Sequence, residues 1–370
     1  MTEPAHKTGG LSERHRVTIS DVSDALGLTK GTVSRALNGY ADISDATRAR
    51  VVATANRMGY RPLSMAQSIK TGRSRTIGFI VQLAEYDAHR PFLAEFLAGL
   101  SETASADGWT LTVASSESDE DTLRKMDELT LARKADGFIV PRTKTRDERI
   151  AHLRRRKTPF VLFGRTGTPE DCAWFDILGE DAMRDAVLHL ARLGHRRIAF
   201  VNGATVYNYS RLREEGFRRG MAAVGLPVVD ALITQDCVTE EDGARAARQM
   251  FMLPEPPTAF VFAIDRAALG LYQTARTLDL RIGQEVSVVS YDGSDEGARA
   301  DPPLTTFAVD IRSAGQHLAR LLIARIRGED LQQLREVAPA HFLDRGSTAA
   351  PTLDVEGLAQ HIATKTQANL

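Results

Sequence analysis

Within residues 28–39, LTKGTVSRALNG, the polar side chains Lys30, Thr32, Ser34, Arg35 and Asn38 face away from a stripe of Leu28, Val33, Ala36 and Leu37. A short helix that exposes such donors suits phosphate oxygens and base edges. Arginine can grip a guanine edge with two hydrogen bonds, and lysine can reach the same edge as a point charge. Thr18, Thr32, Ser34 and Asn38 suit phosphate contacts that set register, with helix capping or solvation as the competing role of Ser34 and Asn38.

A second set lies further along. Asp292 closes the run VSVVSYD, Asp265 follows TAFVFAI, and Arg213 opens REEGF beyond the run RIAFVNG. Parallel-sheet domains bind ligands at the carboxyl ends of their strands. Carboxylates there accept from paired hydroxyls while arginine donates, which suits a polyol or sugar. Phe163, Trp174 and Phe175 lie near strand ends and Phe92 opens a helix, so each can cover the apolar face of a sugar or pack in a core. Asp176 is either a cleft group or a helix cap, and His195, in LGHRRIAF, reads as structural.

Other chemistries lack their residues. G-x-x-x-x-G-K-[ST], G-x-G-x-x-G and G-x-S-x-G do not occur, and GRTGTPED has neither the lysine nor the helix-opening glycines of a phosphate cradle. No enzyme activity and no cofactor are therefore expected. Cys172 and Cys237 are far apart and lack metal-spaced partners, which argues against zinc or a disulfide framework and for reduced thiols in the cytoplasm. No apolar run reaches membrane-spanning length and no hydrophobic signal opens the chain, so no membrane partner is expected.

The net charge of -1 hides an uneven distribution. Residues 1–76 hold 12 basic and 6 acidic side chains, and the remainder holds 35 and 42. A basic head on an acidic body points to a polyanion at the head.

The elements that must position these side chains follow. Thr18 with Asp21 forms a capping pair ahead of a first helix, and Gly27 turns the chain. Thr29 caps a second helix ending at Asn38-Gly39, and a third runs from Ser44 to Gly59. The polar, basic segment YRPLSMAQSIKTGRSR follows, where Ser64 can cap a very short helix that would be marginal alone. From Thr76, seven short apolar runs, TIGFIVQ, WTLTVASS, DGFIVP, PFVLFG, RIAFVNG, TAFVFA and VSVVSYD, alternate with helical stretches. Those stretches are 92–106, 121–134, 180–193, 211–224, 240–252, 265–278 and 312–327. Such alternation predicts parallel sheets covered on both faces, in two lobes.

VTISDVSDALGLTKGTVSRALNG, ISDATRARVVATANRMGYRP and AQSIKTGRSRTIGFIV resemble the amino-terminal region of the LacI/GalR family of bacterial transcription regulators. ARLGHRRIAFVNG, RLREEGFRRGM, DRAALG and VSVVSYD resemble that family's effector-binding core, and the likeness extends to about Arg345. It implies a three-helix helix-turn-helix domain with a hinge helix, then a two-lobed α/β body of the periplasmic-binding-protein type I fold.

The implied divisions are a disordered extension over 1–16, the helix-turn-helix domain over 17–62, a hinge linker over 63–75, the effector-binding and dimerisation domain over 76–345, and a tail over 346–370. By resemblance Lys30, Gly31, Thr32 and Arg35 read the major groove, although Gly31 has no side chain where relatives often use one. Ile69 stands where an apolar side chain enters the minor groove, with Ala66 beside it and Lys70 at the groove edge; the usual wedge is leucine. Arg213 and Asp292 become the strongest effector contacts, and Ile264 replaces a frequent asparagine before Asp265. The implied partners are double-stranded operator DNA, a second copy of the chain, with a tetramer as the alternative, and a small effector. A sugar is expected, with a nucleobase or phosphorylated sugar as the alternative. A sugar-binding transport protein would share the body but has no use for a basic head.

Overall fold

The computed structural model describes residues 17–60, 73–82, 90–167 and 171–368, with only the backbone at 90–92 and 368. The extension over 1–16, Ala66, Ile69 and Lys70 of the expected hinge, and the Phe92 side chain lie outside the described residues. The chain divides into two compact units between Ser74 and Arg75.

The first unit is three helices whose ends are written locally. In α1 (Ile19–Leu26), Asp21 N donates to Thr18 Oγ1 while Thr18 N donates to Asp21 Oδ2, a reciprocal cap. Gly27 closes it at φ 64°, a left-handed conformation that glycine adopts without a Cβ clash. Thr29 caps α2 (Lys30–Leu37) through Thr32 N at 3.1 Å, and Ser44 caps α3 (Asp45–Met58). Val22, Val33, Ala36, Val51 and Ala55 form the shared core, the apolar stripe that leaves the polar side of α2 outward.

The second unit is two α/β lobes. The first lobe contains β1 (Thr76–Gln82), β2 (Thr110–Ser116), β3 (Gly137–Pro141), β4 (Phe160–Phe163) and β5 (Ala173–Ile177). Its helices are α4 (Arg90–Ala106), α5 (Asp119–Leu131) and α6 (Glu148–Arg156). The chain crosses into the second lobe with α7 (Gly179–Arg192), followed by β6 (Ile198–Val201), α8 (Asn208–Ala223), β7 (Ile233–Thr234), α9 (Glu240–Phe251) and β8 (Ala259–Phe262). It continues through α10 (Asp265–Thr277), β9 (Ser287–Asp292), α11 (Asp295–Ala298) and β10 (Thr305–Ala308). It then returns to the first lobe as α12 (Ile311–Arg327) and β11 (Arg335–Ala338), and crosses again to β12 (His341–Leu343) and α13 (Val355–Ala368).

The sheet orders are β11-β5-β4-β3-β1-β2 and β12-β10-β9-β8-β6-β7. All neighbours are parallel except β10 and β12. The central strands are buried along their length, as β3, β6 and β8 show, which is why they read as continuous apolar runs.

The segment expected as a C-terminal tail with a short helix carries the helix α13 and is packed into the second lobe. Leu358 and Ile362 of α13 are buried in its core, and Ser347 Oγ donates to the Val288 carbonyl at 2.6 Å. One turn apart on the helix, Leu358 and Ile362 share a face that needs an apolar surface to cover it.

Candidate functional site

A cavity of about 190 Å3 lies between the lobes of the body, at the carboxyl ends of β3, β4, β5 and β9. Its apolar wall includes Leu93, Phe96, Phe163, Ile264 and Ile311, and Phe96 and Phe163 stack at 5.5 Å. The facing polar groups are Arg142, Thr143, Arg165, Asp176, Glu180, Tyr209, Arg213 and Asp292.

Arg213, on α8, donates from Nη1 to the Ala263 carbonyl at 2.5 Å. Its guanidinium carbon lies 3.8 Å from the centre of the Tyr291 ring and 4.6 Å from that of Tyr209. Such stacking holds a flat guanidinium in one orientation. Gly216, one turn on, permits the approach that sets this helix against α7, because a Cβ there would fall 2.0 Å from the Glu180 carbonyl oxygen. Asp292 ends β9 with φ 135°, a conformation that costs a non-glycine residue energy and recurs at functional sites. Burial pushes its carboxyl up to about 8; the positive charge of Arg213 opposes that shift and the negative charge of Asp265 adds to it.

Arg165 follows β4 and ties the polar wall together. Its Nε donates to Asp176 Oδ2 at 2.6 Å and its Nη2 to Glu180 Oε1 at 2.5 Å. The Arg165 carbonyl accepts from Thr143 Oγ1 and from Asn208 Nδ2, which joins the two lobes. Burial pushes the Asp176 carboxyl above its ordinary range, against the pull of Arg165. Beside this network Asn208 N donates to the Thr143 carbonyl at 2.9 Å and Thr145 N to the Val206 carbonyl at 3.0 Å, so one edge of the cavity is closed by backbone bonds.

Of the six expected effector contacts, Phe163, Arg213 and Asp292 line the cavity, and Trp174, Phe175 and Asp265 do not. Asp265 is turned inward: Oδ2 accepts from Gly293 N, Ser294 N and Ser294 Oγ, and Oδ1 from Thr306 Oγ1. A carboxylate so fully satisfied braces the turn after Asp292. Phe175 points into the first-lobe core, where it stacks on His317 at 4.9 Å. Trp174, its neighbour on the strand, points to the opposite face and backs Arg165. Asp176 is a cavity group.

Arg142 and Arg165, absent from the sequence reading, carried the signal that singled out Asp292, since each directly follows a strand or the glycine after it. Tyr209 and Glu180 carried none. His195 is structural, with Nδ1 2.9 Å from Thr258 Oγ1 and Nε2 2.9 Å from the Ala349 carbonyl. Among the described residues no cluster of His, Cys, Asp or Glu could hold a metal, and no helix is long and apolar enough to cross a membrane.

On the head, Lys30, Gly31, Arg35 and Asn38 are exposed and Thr32 and Ser34 partly so. Several of these groups are engaged locally. Asn38 Nδ2 donates to the Ser34 carbonyl at 2.6 Å, and Thr32 Oγ1 meets Thr29 Oγ1 at 2.9 Å. Thr18 Oγ1 donates to Asp21 Oδ2 at 2.8 Å, so its hydroxyl serves the cap of α1.

A helix-turn-helix head joined to a two-lobed body with a polar interlobe cavity defines a ligand-responsive, DNA-binding regulator. Residues 18–63 match the bacterial regulatory proteins of the lacI family, and residues 187–348 match the periplasmic binding protein-like domain. The HTH-type transcriptional regulator AglR of Rhizobium meliloti (strain 1021) is 33% identical over 341 residues, covering 90% of this chain and 94% of that protein. Among solved structures, a complex of the transcriptional regulator CelR with cellobiose has a TM-score of 0.69 at 28% identity, covering 90% of this chain and all of that one. The lac repressor dimer bound to operator and the anti-inducer ONPF has a TM-score of 0.73 at 25% identity, with the same coverage. The chain belongs to the lacI family of bacterial transcription regulators.

Proposed function

We propose that this regulator is a cytoplasmic repressor of carbohydrate uptake or catabolism genes, acting as a homodimer on a near-palindromic operator and released or engaged by a sugar in the interlobe cavity. The observation that carries the effector reading is the cavity wall itself. It sets three guanidiniums, of Arg142, Arg165 and Arg213, against three carboxyls, of Asp176, Glu180 and Asp292. With hydrogen-bond acceptors interspersed among the cations, and Phe96 and Phe163 also lining the cavity, it suits an uncharged polyol with an apolar face better than a phosphorylated one. Arg213 and Asp292 are the ligand grips, and Phe163 covers an apolar face. The similar regulator solved with cellobiose supports a sugar as occupant. The cavity binds its occupant without turning it over, a reading supported by the family's role in transcription.

On the DNA side, Lys30, Gly31, Thr32 and Arg35 lie at the base edges. Thr18, Ser34 and Asn38 meet phosphates through whatever capacity their local bonds leave. Ala66, Ile69 and Lys70 serve the minor groove.

Selection of the full chain on random duplexes, followed by titration of the selected duplex, tests both halves. Operator affinity should fall steeply with salt. A panel of neutral sugars, sugar phosphates and nucleosides should yield one neutral sugar that raises the melting temperature and shifts operator affinity. A ligand at 100 times its Kd stabilises by about 2.7 kcal/mol. Response to a sugar phosphate or nucleoside alone would overturn the neutral-sugar assignment, and absence of a selected sequence would overturn the operator reading.

A further inference from the structure

The turn after α2 carries an acid where a DNA-binding surface should least tolerate one. Asp42 is half exposed, forms an ion pair with Arg35, and its carboxylate would meet phosphate repulsion on any duplex. From the same turn the Tyr40 ring lies beneath the Arg35 guanidinium, 5.3 Å from its carbon. The turn is itself pinned from α3. Arg48 Nη2 donates to the Tyr40 carbonyl at 2.9 Å and to the Ile43 carbonyl at 3.3 Å, and Tyr40 N donates to the Arg35 carbonyl at 3.1 Å. Two groups on a fixed turn therefore hold the Arg35 side chain before DNA arrives.

We propose that Asp42 and Tyr40 are positioning residues that hold Arg35 for base reading and keep it from binding phosphates indiscriminately. The proposal rests on the reading of Arg35 as a base-reading side chain. A free arginine gains affinity from any duplex by neutralising phosphate, whereas one already paired with a carboxylate gains little from backbone alone. A guanine edge still rewards it, because the guanidinium fork has five N–H donors and the carboxylate does not use them all. The acid thus lowers nonspecific affinity more than specific affinity, which is how repulsive elements create specificity. The ring beneath limits the side chain's rotamers, so less order is lost when the contact forms.

The test uses the full chain, the duplex selected from a random pool, and a scrambled duplex, with affinities read by anisotropy at fixed salt. Asp42→Asn should bind the scrambled duplex more tightly, so that the ratio of selected to scrambled affinity falls about two- to fivefold, the size that a half-exposed ion pair supports. Reselection should show weakened preference at one base pair per half-site. In an Arg35→Ala background the Asp42→Asn change should leave the ratio where Arg35→Ala put it. Asp42→Glu, which keeps the charge, should recover much of the ratio, and Tyr40→Leu should lower it.

An unchanged ratio and preference in Asp42→Asn would overturn the proposal, as would a fall that persists without Arg35. If Arg35→Ala itself leaves the selected sequence unchanged, the base-reading assignment fails first. If Arg35→Ala changes the sequence while Asp42→Asn does not, only the positioning role fails.

Discussion

Arg213 stacks on Tyr291, with its guanidinium carbon 3.8 Å from the ring centre, and Tyr291 is the residue just before Asp292. The donor and acceptor facing the cavity are therefore assembled on one aromatic support. Lysine at 213 keeps the charge but not the plane. Arg213→Lys should weaken sugar binding by about 1–3 kcal/mol, the cost of a polar group left unpaired, and leave operator affinity without sugar intact. Calorimetry with the selected sugar, beside an operator titration, measures both; wild-type sugar affinity would move the grip elsewhere.

Asp292 sets a pH dependence. Its carboxyl is pushed up to about 8 by burial in the folded chain, against about 3.9 for an unperturbed aspartate. Between those values the folded state holds a proton that the unfolded state has lost, so this group favours folding at low pH and that contribution disappears as pH rises through 8. Asp292→Asn should therefore raise the melting temperature of the sugar-free protein more at pH 9 than at pH 6. Equal gains at both values would show that the carboxyl is not held protonated.

Arg165 holds two acids at the cavity wall, and removing it leaves the buried Asp176 without its cation. Arg165→Ala should cost about 2–3 kcal/mol of stability, at or below the low end for a broken buried pair because the arginine keeps some exposure. Arg165→Ala with Asp176→Asn should recover part of it. Urea unfolding of the two variants provides the comparison, and a double variant no more stable than the single would place the loss in packing.

His195 contributes at the acid end. Burial lowers its imidazole to about 4, from an ordinary value of about 6.5. The unfolded chain takes up a proton that the folded chain refuses, so stability is full above about 6.5 and drains away as pH falls toward 4, by up to about 3 kcal/mol. His195→Gln should be less stable than wild type at pH 7.5 yet lose less between pH 6.5 and 4.5. Parallel acid profiles, followed by thermal unfolding, would remove His195 as the source.

The head was legible because its signals are local. Thr18, Thr29 and Ser44 each cap a helix within their own next three residues, so no distant partner had to be known. The central strands were legible because burial on both faces leaves a continuous apolar run. β5, β7, β10, β11 and β12 carry no such mark: they are at most five residues long, and neighbours from elsewhere in the chain complete them. The helix of Glu148–Arg156 is mostly charged and buries only Arg149, Ile150 and Leu153, too thin a stripe to stand out.

Sequence alone determined that a basic, capped helical head precedes a two-lobed parallel-sheet body, and that Asp265 and Asp292 both stand where strands end. Which of the two acids faces the cavity was decided only in three dimensions. Thr306 arrives 41 residues later to take one oxygen of Asp265, and Gly293 and Ser294 take the other. Asp292 is left on the cavity wall together with the stacked Arg213. A strand end fixes where a side chain starts, but the hydrogen bonds that direct it come from segments distant in sequence, and only folding brings them within reach.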